Sequence, residues 1–350
     1  MAGQLVDDVV EVRDQSEGSR LYTRGNFGYP RSGGGVDLDL IEATYLMEGR
    51  RLEVIGPDGP MTYDDMFCHA ASIVEGFDIK YLVFRDLRQR GFIAKYETGD
   101  YDISVFPRGK TMSNSRPEFM VRAVSERNAI DISTFIREVS DTSKRKKKLL
   151  YGVVDEEGDL TYYIMSTRDP AGKVFPEPIS EKPQGRLIRD RVFVFDRGHA
   201  EALRDYGYYG RSFVDALQLS LIESCHLVSK GRLTVYGQDG EVLSYDDLVE
   251  FGSSIQDEFG IRMQVYSDLR ERGLVVKTGF KYGTHFRVYQ ESPDDCHARY
   301  LVHAVTDDGI RMWPEISRTV RLSGGVKKEI LFGRVKKNTI DYLEFKWFKP

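Results

Sequence analysis

The sequence predicts an α+β protein written as a tandem duplication. Three observations carry this: an internal repeat at a nearly constant offset, capped helical stretches early in each repeat, and alternating strand patterns with glycine turns later in each repeat. Asp86–Lys95 and Asp268–Lys277 agree at six of ten positions. LIEATYLMEGRRLEVIGPDGPMTYDD pairs with LIESCHLVSKGRLTVYGQDGEVLSYDD, EFMVRAV with RYLVHAV, and KKLLYGVV with KEILFGRV. The offset stays near 181, too long for a solenoid period. The expected units are residues 1–165, a linker at 166–190, and residues 191–350, the last dividing into an N-terminal α/β subdomain (191–260) and a mixed-sheet subdomain (261–350).

Each element of the second repeat has a reason. Leu221–Val228 carries apolar residues at helical spacing and is closed by Gly231. RLTVYG reads as a strand, followed by a turn at Gly237–Gly240. Ser244 with Asp247 forms S-x-x-D, an N-cap signature that Thr62 and Asp65 repeat in the first unit. A helix runs into DLRERG and stops at Gly273, as its counterpart stops at Gly91. Strands LVVK, GTHFRVYQ and ARYLVHAV follow. Pro314 opens another helix, ended by Gly324–Gly325, and KKEILFGRV and DYLEFKWF close the unit as strands. The order expected is helices first, sheet later. Between the units, the prolines of STRDPAGKVFPEPISEKPQGRLIRD argue for a linker.

Composition narrows the class. The chain is 41% apolar and 30% charged, which suits a globular protein with real cores. No apolar run is long enough to span a membrane, and the N-terminus lacks the layout of a secretory signal. Cys68, Cys225 and Cys296 are scattered, which fits a reducing cytoplasm rather than a disulfide framework. The net charge of -5 is not that of a general nucleic-acid binder. From Arg299 to Pro350, however, eleven Lys or Arg stand against six Asp or Glu, so this end can host a polyanion or simply be a solvated face.

Several chemistries find little support. GxxxxGK[ST], a strand-bounded GxGxxG and GxSxG are all missing. Cys296 and His297, with His285 and His303 nearby, lack a diagnostic zinc spacing. Glu344-Phe345-Lys346 is an E-x-K of the kind magnesium-dependent nucleases use, but chance supplies many such tripeptides. More informative is a difference between the repeats. Tyr289 precedes His297 by eight residues, where the first repeat has Phe106 and Arg116. Alternation in GTHFRVYQ places Tyr289 on one face with His285 and Arg287. Taken alone, this strand tyrosine reads more readily as a packing residue and this loop histidine as an exposed one.

YSDLRERGLVVKTGFKYGTHFRVY, then HARYLV, then TVRLSGGVKKEIL resemble, in order and spacing, the tRNA-splicing endonucleases in their archaeal tandem-repeat form. The resemblance covers both halves of the chain. It implies that the sheet subdomain is a restriction-endonuclease-like nuclease fold. It also implies a catalytic triad of Tyr289, His297 and Lys328, the last in Val326-Lys327-Lys328 where the family more often has Val-Arg-Lys. No cofactor or metal is implied. The substrate implied is precursor tRNA, cut at bulge-helix-bulge junctions, and the assembly is a homodimer. The loop from Tyr289 to His297 is somewhat short for the family, and Ala298 stands where serine is usual.

The chemistry is reasonable on independent grounds. An RNA 2′-hydroxyl can attack the adjacent phosphate if a base, an acid and a cation are supplied. Histidine titrates near neutrality and serves as the acid. A fixed lysine stabilises the phosphorane without magnesium. Tyrosine, with an ordinary pKa of about 10, needs help to act as base, which a nearby lysine would give by favouring the phenolate. The first repeat keeps Lys147 opposite Lys328 but has lost both proton-transfer groups, so it is expected to be a structural unit.

The resemblance also implies a division of labour. The first repeat's turn VVDEEGDLTYY carries Asp155, Glu156, Glu157 and Asp159, where the second has Lys336 and Lys337. Such an acidic loop is expected to dock on the catalytic repeat of the partner chain; otherwise it is an exposed hairpin. Arg321, seven residues before Lys328, matches one arm of a clamp on a bulged base, and Trp347 is the candidate for the other arm. Trp347 equally suits burial in the terminal strand. The basic run Lys144–Lys148 touches RNA phosphates or is a solvated edge.

Overall fold

The computed structural model describes residues 1–177, 179, 181–306, 310–325, 328–337 and 339–350. Its centre is one ten-stranded mixed sheet to which each repeat gives five strands. In chain order these are β1 (Ala94–Tyr96), β2 (Ile103–Val105), β3 (Phe119–Ser125), β4 (Lys148–Val154) and β5 (Leu160–Arg168), then β6 (Val275–Thr278), β7 (Phe286–Tyr289), β8 (Tyr300–Thr306), β9 (Glu329–Lys336) and β10 (Thr339–Phe348). Their order across the sheet is β6-β7-β8-β9-β10-β5-β4-β3-β2-β1. The β3–β4 and β8–β9 pairs are parallel and the neighbours around them antiparallel, so the two halves match. They meet where β5 pairs antiparallel with β10, and there Met165 faces its own counterpart, Phe345. A second joint pairs Ala129–Asp131 with Ile310–Met312, again with counterparts Ile130 and Arg311 opposite each other. The α+β class and its repetition thus stand, but the repeats are not separate beads. Phe135, Tyr151 and Tyr163 of the first share one core with Trp313, Phe332 and Phe345 of the second. Burying that shared apolar face is the main force holding the halves together.

Each repeat begins with strands, not helices, contrary to the sequence expectation. Ala2–Val6 and Val9–Val12 precede the first helix, and Gln184–Ile188 and Arg191–Val194 do the same in the second repeat. Each set joins a six-stranded sheet of the N-terminal subdomain. These strands are short and alternate weakly, so periodicity alone hides them. Of the expected linker 166–190, residues 166–168 continue β5 and 184–188 form the first strand of the second repeat, leaving 169–183 as the connection.

The same polar pins recur in both repeats. The expected capping boxes form at Thr62/Asp65 and Ser244/Asp247. Tyr162 Oη donates to Asp86 at 2.8 Å, and Tyr342 Oη to Asp268 at 2.7 Å, tying the long helices Phe77–Gln89 and Phe259–Glu271 to β5 and β10. Glu42 pairs with Lys95 at 2.5 Å and Glu223 with Lys277 at 3.5 Å, joining each N-terminal subdomain to its sheet. No helix among the described residues is long and apolar enough to cross a membrane.

Candidate active site

The strand β7 ends at Tyr289, and the loop after it returns through Cys296, His297 and Ala298 to β8. Ser292 shapes this loop: its carbonyl accepts the N–H groups of Asp295 and Cys296, and its hydroxyl oxygen accepts that of Asp294. The Arg299 N–H then bonds to Val288 O at 3.0 Å, which closes the loop against the strand it left. Tyr289 is only 7% exposed and packs with Val275 and Ala298, against Val174, Tyr208 and Cys296. His297, one residue before Ala298, is exposed to solvent.

Lys328 arrives from the other side, just before β9. Its Nζ donates to Ala298 O at 3.0 Å and lies 5.8 Å from the centre of the Tyr282 ring. Ala298 is therefore the meeting point: its side chain touches the Tyr289 cluster, its carbonyl holds Lys328, and its neighbour is His297. The parallel pairing of β8 with β9 brings the lysine there, with Tyr300 opposite Glu329. Val326 and Lys327, which precede the lysine, lie outside the described residues.

One expectation needs correction. Burial pushes the Tyr289 phenol above its ordinary pKa, and Arg287, 5.9 Å from the ring centre on the same strand face, opposes this without reversing it. Lys328 is directed at the Ala298 carbonyl, and the tyrosine is not pulled toward the phenolate. The phenol is protonated at neutral pH. Tyr282 was not legible as part of the site, since it belongs to a short 3-10 turn, Phe280–Tyr282, with no motif of its own.

The first repeat builds the same frame. Phe106 is buried, Arg116 is exposed, and Lys147 Nζ donates to Pro117 O, the counterpart of Ala298. Burial, together with the neighbouring Arg116, lowers the Lys147 ammonium pKa. In the basic run around it, Arg145 pairs with Asp100 and Asp141, and Lys148 with Glu118.

The remaining candidates lie elsewhere. Arg321, on helix Trp313–Gly325, lines a groove of about 540 Å³ with Asp155, Asp159, Tyr163 and Arg318. Trp347 is 46% exposed on β10 opposite Tyr163, with Lys349 Nζ 4.5 Å from its ring centre. Tyr163 thus stands between the two, its ring in the groove and its backbone paired to Trp347. At the acidic hairpin, Asp155 accepts the N–H groups of Glu157 and Asp159, and Glu156 pairs with Arg127. Asp155 is therefore occupied by its own turn. Glu344 of the E-x-K is buried, accepting from Ser166 Oγ at 3.0 Å and Arg168 Nε at 2.9 Å across the joint between the repeats. That carboxylate serves the joint. Of the suspected zinc ligands, His285 Nδ1 accepts the Ala304 N–H and Cys296 Sγ donates to Ser292 O within its own loop.

Comparison with known proteins agrees with this duplicated frame. The catalytic C-terminal domain of tRNA intron endonucleases matches at residues 77–162 and again at 259–342, and the N-terminal domain of the same enzymes at 1–67 and 184–249. Similar proteins include the tRNA-splicing endonucleases of Methanococcoides burtonii, 33% identical over 350 residues covering 98% of both chains, and Methanosarcina acetivorans, 36% identical over 331 residues covering 93% of each. That of Haloferax volcanii is 30% identical over 370 residues, covering 100% of each. With both domains matched twice and the likeness running along the whole length, the chain belongs to the tRNA intron endonuclease family.

Proposed function

We propose that this protein excises introns from precursor tRNA by cutting bulge-helix-bulge junctions without a metal ion, leaving 2′,3′-cyclic phosphate and 5′-hydroxyl ends. The observation that carries this is the convergence of Tyr289, His297 and Lys328 on Ala298, set against a first repeat that keeps only the lysine. The 2′-oxygen attacks the adjacent phosphorus and the bond to the 5′-oxygen breaks. His297, exposed at the loop's rim, gives its proton to the leaving oxygen. Lys328 commits one N–H to Ala298 O, which fixes its direction and leaves two for the phosphate oxygens. Tyr289, protonated and enclosed, orients the 2′-hydroxyl by accepting its hydrogen bond, and the 2′ proton passes to solvent water at the exposed rim as the new P–O bond forms. Arg321, in the groove with Tyr163, and Trp347, on the strand position opposite Tyr163, are assigned to grip an unstacked base. The hairpin Asp155–Asp159, through Glu157 and its neighbours, is assigned to dock on the second repeat of a partner chain, making a homodimer. Sedimentation showing only a 40.1 kDa monomer would sink the docking assignment.

The test is cleavage of a synthetic bulge-helix-bulge RNA in excess EDTA, with both new ends identified. Cyclic phosphate and 5′-hydroxyl at both bulges are expected. Cutting only with magnesium, to give 5′-phosphate, would overturn the reading.

A further inference from the structure

The connection between the repeats does more than join them. Residues 171–174 lie across the back of the site as a strap fixed at several points. The Gly172 N–H bonds to Arg272 O at 2.9 Å and the Val174 N–H to Gly273 O at 2.8 Å, both at the turn that ends helix Phe259–Glu271. Between them, the Lys173 N–H bonds to Gln290 O at 2.9 Å, the residue after Tyr289. Gln290 returns a bond from its side chain, Nε2 to Ala171 O at 2.9 Å. Lys173 also pairs with Glu291 at 2.5 Å, and Asp169 with Arg272. From this staple the Val174 side chain packs on the cluster of Tyr289, Val275 and Ala298.

The close approach depends on two glycines. A Cβ on Gly172 would stand 2.2 Å from Gly273 O, closer than any side chain permits, and only 3.0 Å from Gln290 O. Gly273 itself has φ +75°, and a Cβ there would meet the Phe175 ring at 2.5 Å. The first repeat fills this place differently. Its Arg90 carbonyl, the counterpart of Arg272 O, is reached instead by its own Arg108 side chain, at 3.4 Å.

We propose that this inter-repeat strap positions Tyr289 for the reaction, with Gly172 and Val174 as positioning residues that act through it. The proposal rests on the reading of Tyr289 given above. It gives the second repeat a support built from the connection that leads into it. Physically, the end of β7 has antiparallel support from β6 and β8, but the backbone beyond Tyr289 leaves the sheet at Gln290. The strap binds that next peptide and backs the ring, so the Oη is held against the phosphate site rather than swinging with the loop.

The experiment is single-turnover cleavage by the full-length protein, with binding measured separately on an RNA carrying 2′-deoxy sugars at the cut positions. Gly172→Val is expected to slow cleavage by about 10- to 100-fold, the scale of a misplaced catalytic group, while affinity for the uncleavable RNA stays within about twofold. Val174→Ala keeps every backbone bond of the strap and is expected to slow cleavage by about 3- to 10-fold, so the conclusion does not depend on the harsher variant folding. The decisive readout is the double variant. In a Tyr289→Phe background, Val174→Ala is expected to add less than about twofold, because a residue acting through Tyr289 has nothing left to position. Parental rates for both strap variants, with Tyr289→Phe still impaired, would overturn the strap and leave the triad standing. Full multiplication of the two losses would also overturn it. Parental cleavage by Tyr289→Phe alone would remove both the strap and the assignment of Tyr289.

Discussion

Lys147 and Lys328 hold the same position in two copies of one frame, each donating to the carbonyl that follows the arginine or histidine of its loop. Around Lys328 stand a buried tyrosine and an exposed histidine; around Lys147 stand a phenylalanine and an arginine. The shared lysine and its carbonyl are therefore not what separates a candidate catalyst from a structural unit; the loop residues and their support are. The frame survives because its lysine, strands and helix pins are paid for by packing shared across both repeats. The two proton-handling residues make little contribution to that packing and are free to differ.

The largest effect should come from testing this difference directly. His297→Ala or Lys328→Ala is expected to slow cleavage by on the order of 10²–10⁴-fold, while Arg116→Ala and Lys147→Ala leave the rate near parental. Adding Phe106→Tyr and Arg116→His to the His297→Ala chain is expected not to restore cutting. The first repeat's two positions are ten residues apart instead of eight, and Arg108 lies where the second repeat has its strap. Recovery of cleavage by that graft would show that residue identity alone separates the repeats.

The buried ion pairs sharpen the comparison at the level of stability. Glu42 and Lys95 are almost fully enclosed at 2.5 Å, whereas Glu223 and Lys277 are more open and 3.5 Å apart. Lys95→Met leaves a buried carboxylate without its partner and is expected to cost about 3–5 kcal/mol in urea unfolding. Lys277→Met should cost less. Equal losses would show that the two interfaces between subdomains are energetically the same despite their geometry.

The smallest effect concerns acid. His226, where the first repeat has Tyr45, is buried beside Ser267 at 3.1 Å, and burial pushes its pKa down to about 3. The folded group stays neutral while the unfolded one gains a proton below about pH 6.5, so its contribution is complete above that pH and is lost as pH falls toward 3. At pH 5 the loss is expected to be about 2 kcal/mol relative to neutrality. His226→Gln should remove that part of the acid limb, measured as the change in unfolding free energy between pH 7.5 and pH 5. An unchanged limb would place the acid sensitivity elsewhere.

Much of this was legible in the sequence because duplication prints it twice. Lys95 and Lys277 fall among the six identities of the aligned segment, and both repeats keep the Leu-Ile-Glu of Glu42 and Glu223, so the pair members stand at repeated positions, though nothing local in the sequence says that they pair. The caps at Thr62 and Ser244 were visible because capping depends only on residues within one helical turn. The opening strands of each subdomain were missed because they are short and weakly alternating, although each closes a hairpin with the strand after it, as Ala2–Val6 with Val9–Val12. The pKa of Tyr289 was misjudged for another reason: the lysine expected to lower it is held by Ala298 O, and enclosure by Val174 and Tyr208 raises it.

By itself the sequence determined the duplication, the α+β class, and which repeat carries the tyrosine and histidine, since these follow from local periodicity and from comparing the chain with itself. Only the tertiary structure decided that the two repeats share one sheet, with Met165 on Phe345 at its centre, and that Glu344 belongs to that joint. It alone placed the connection 171–174 behind Tyr289. Each of these is a contact between segments about a hundred or more residues apart. Such contacts are set by which buried surfaces and backbone groups remain to be satisfied once local elements have formed.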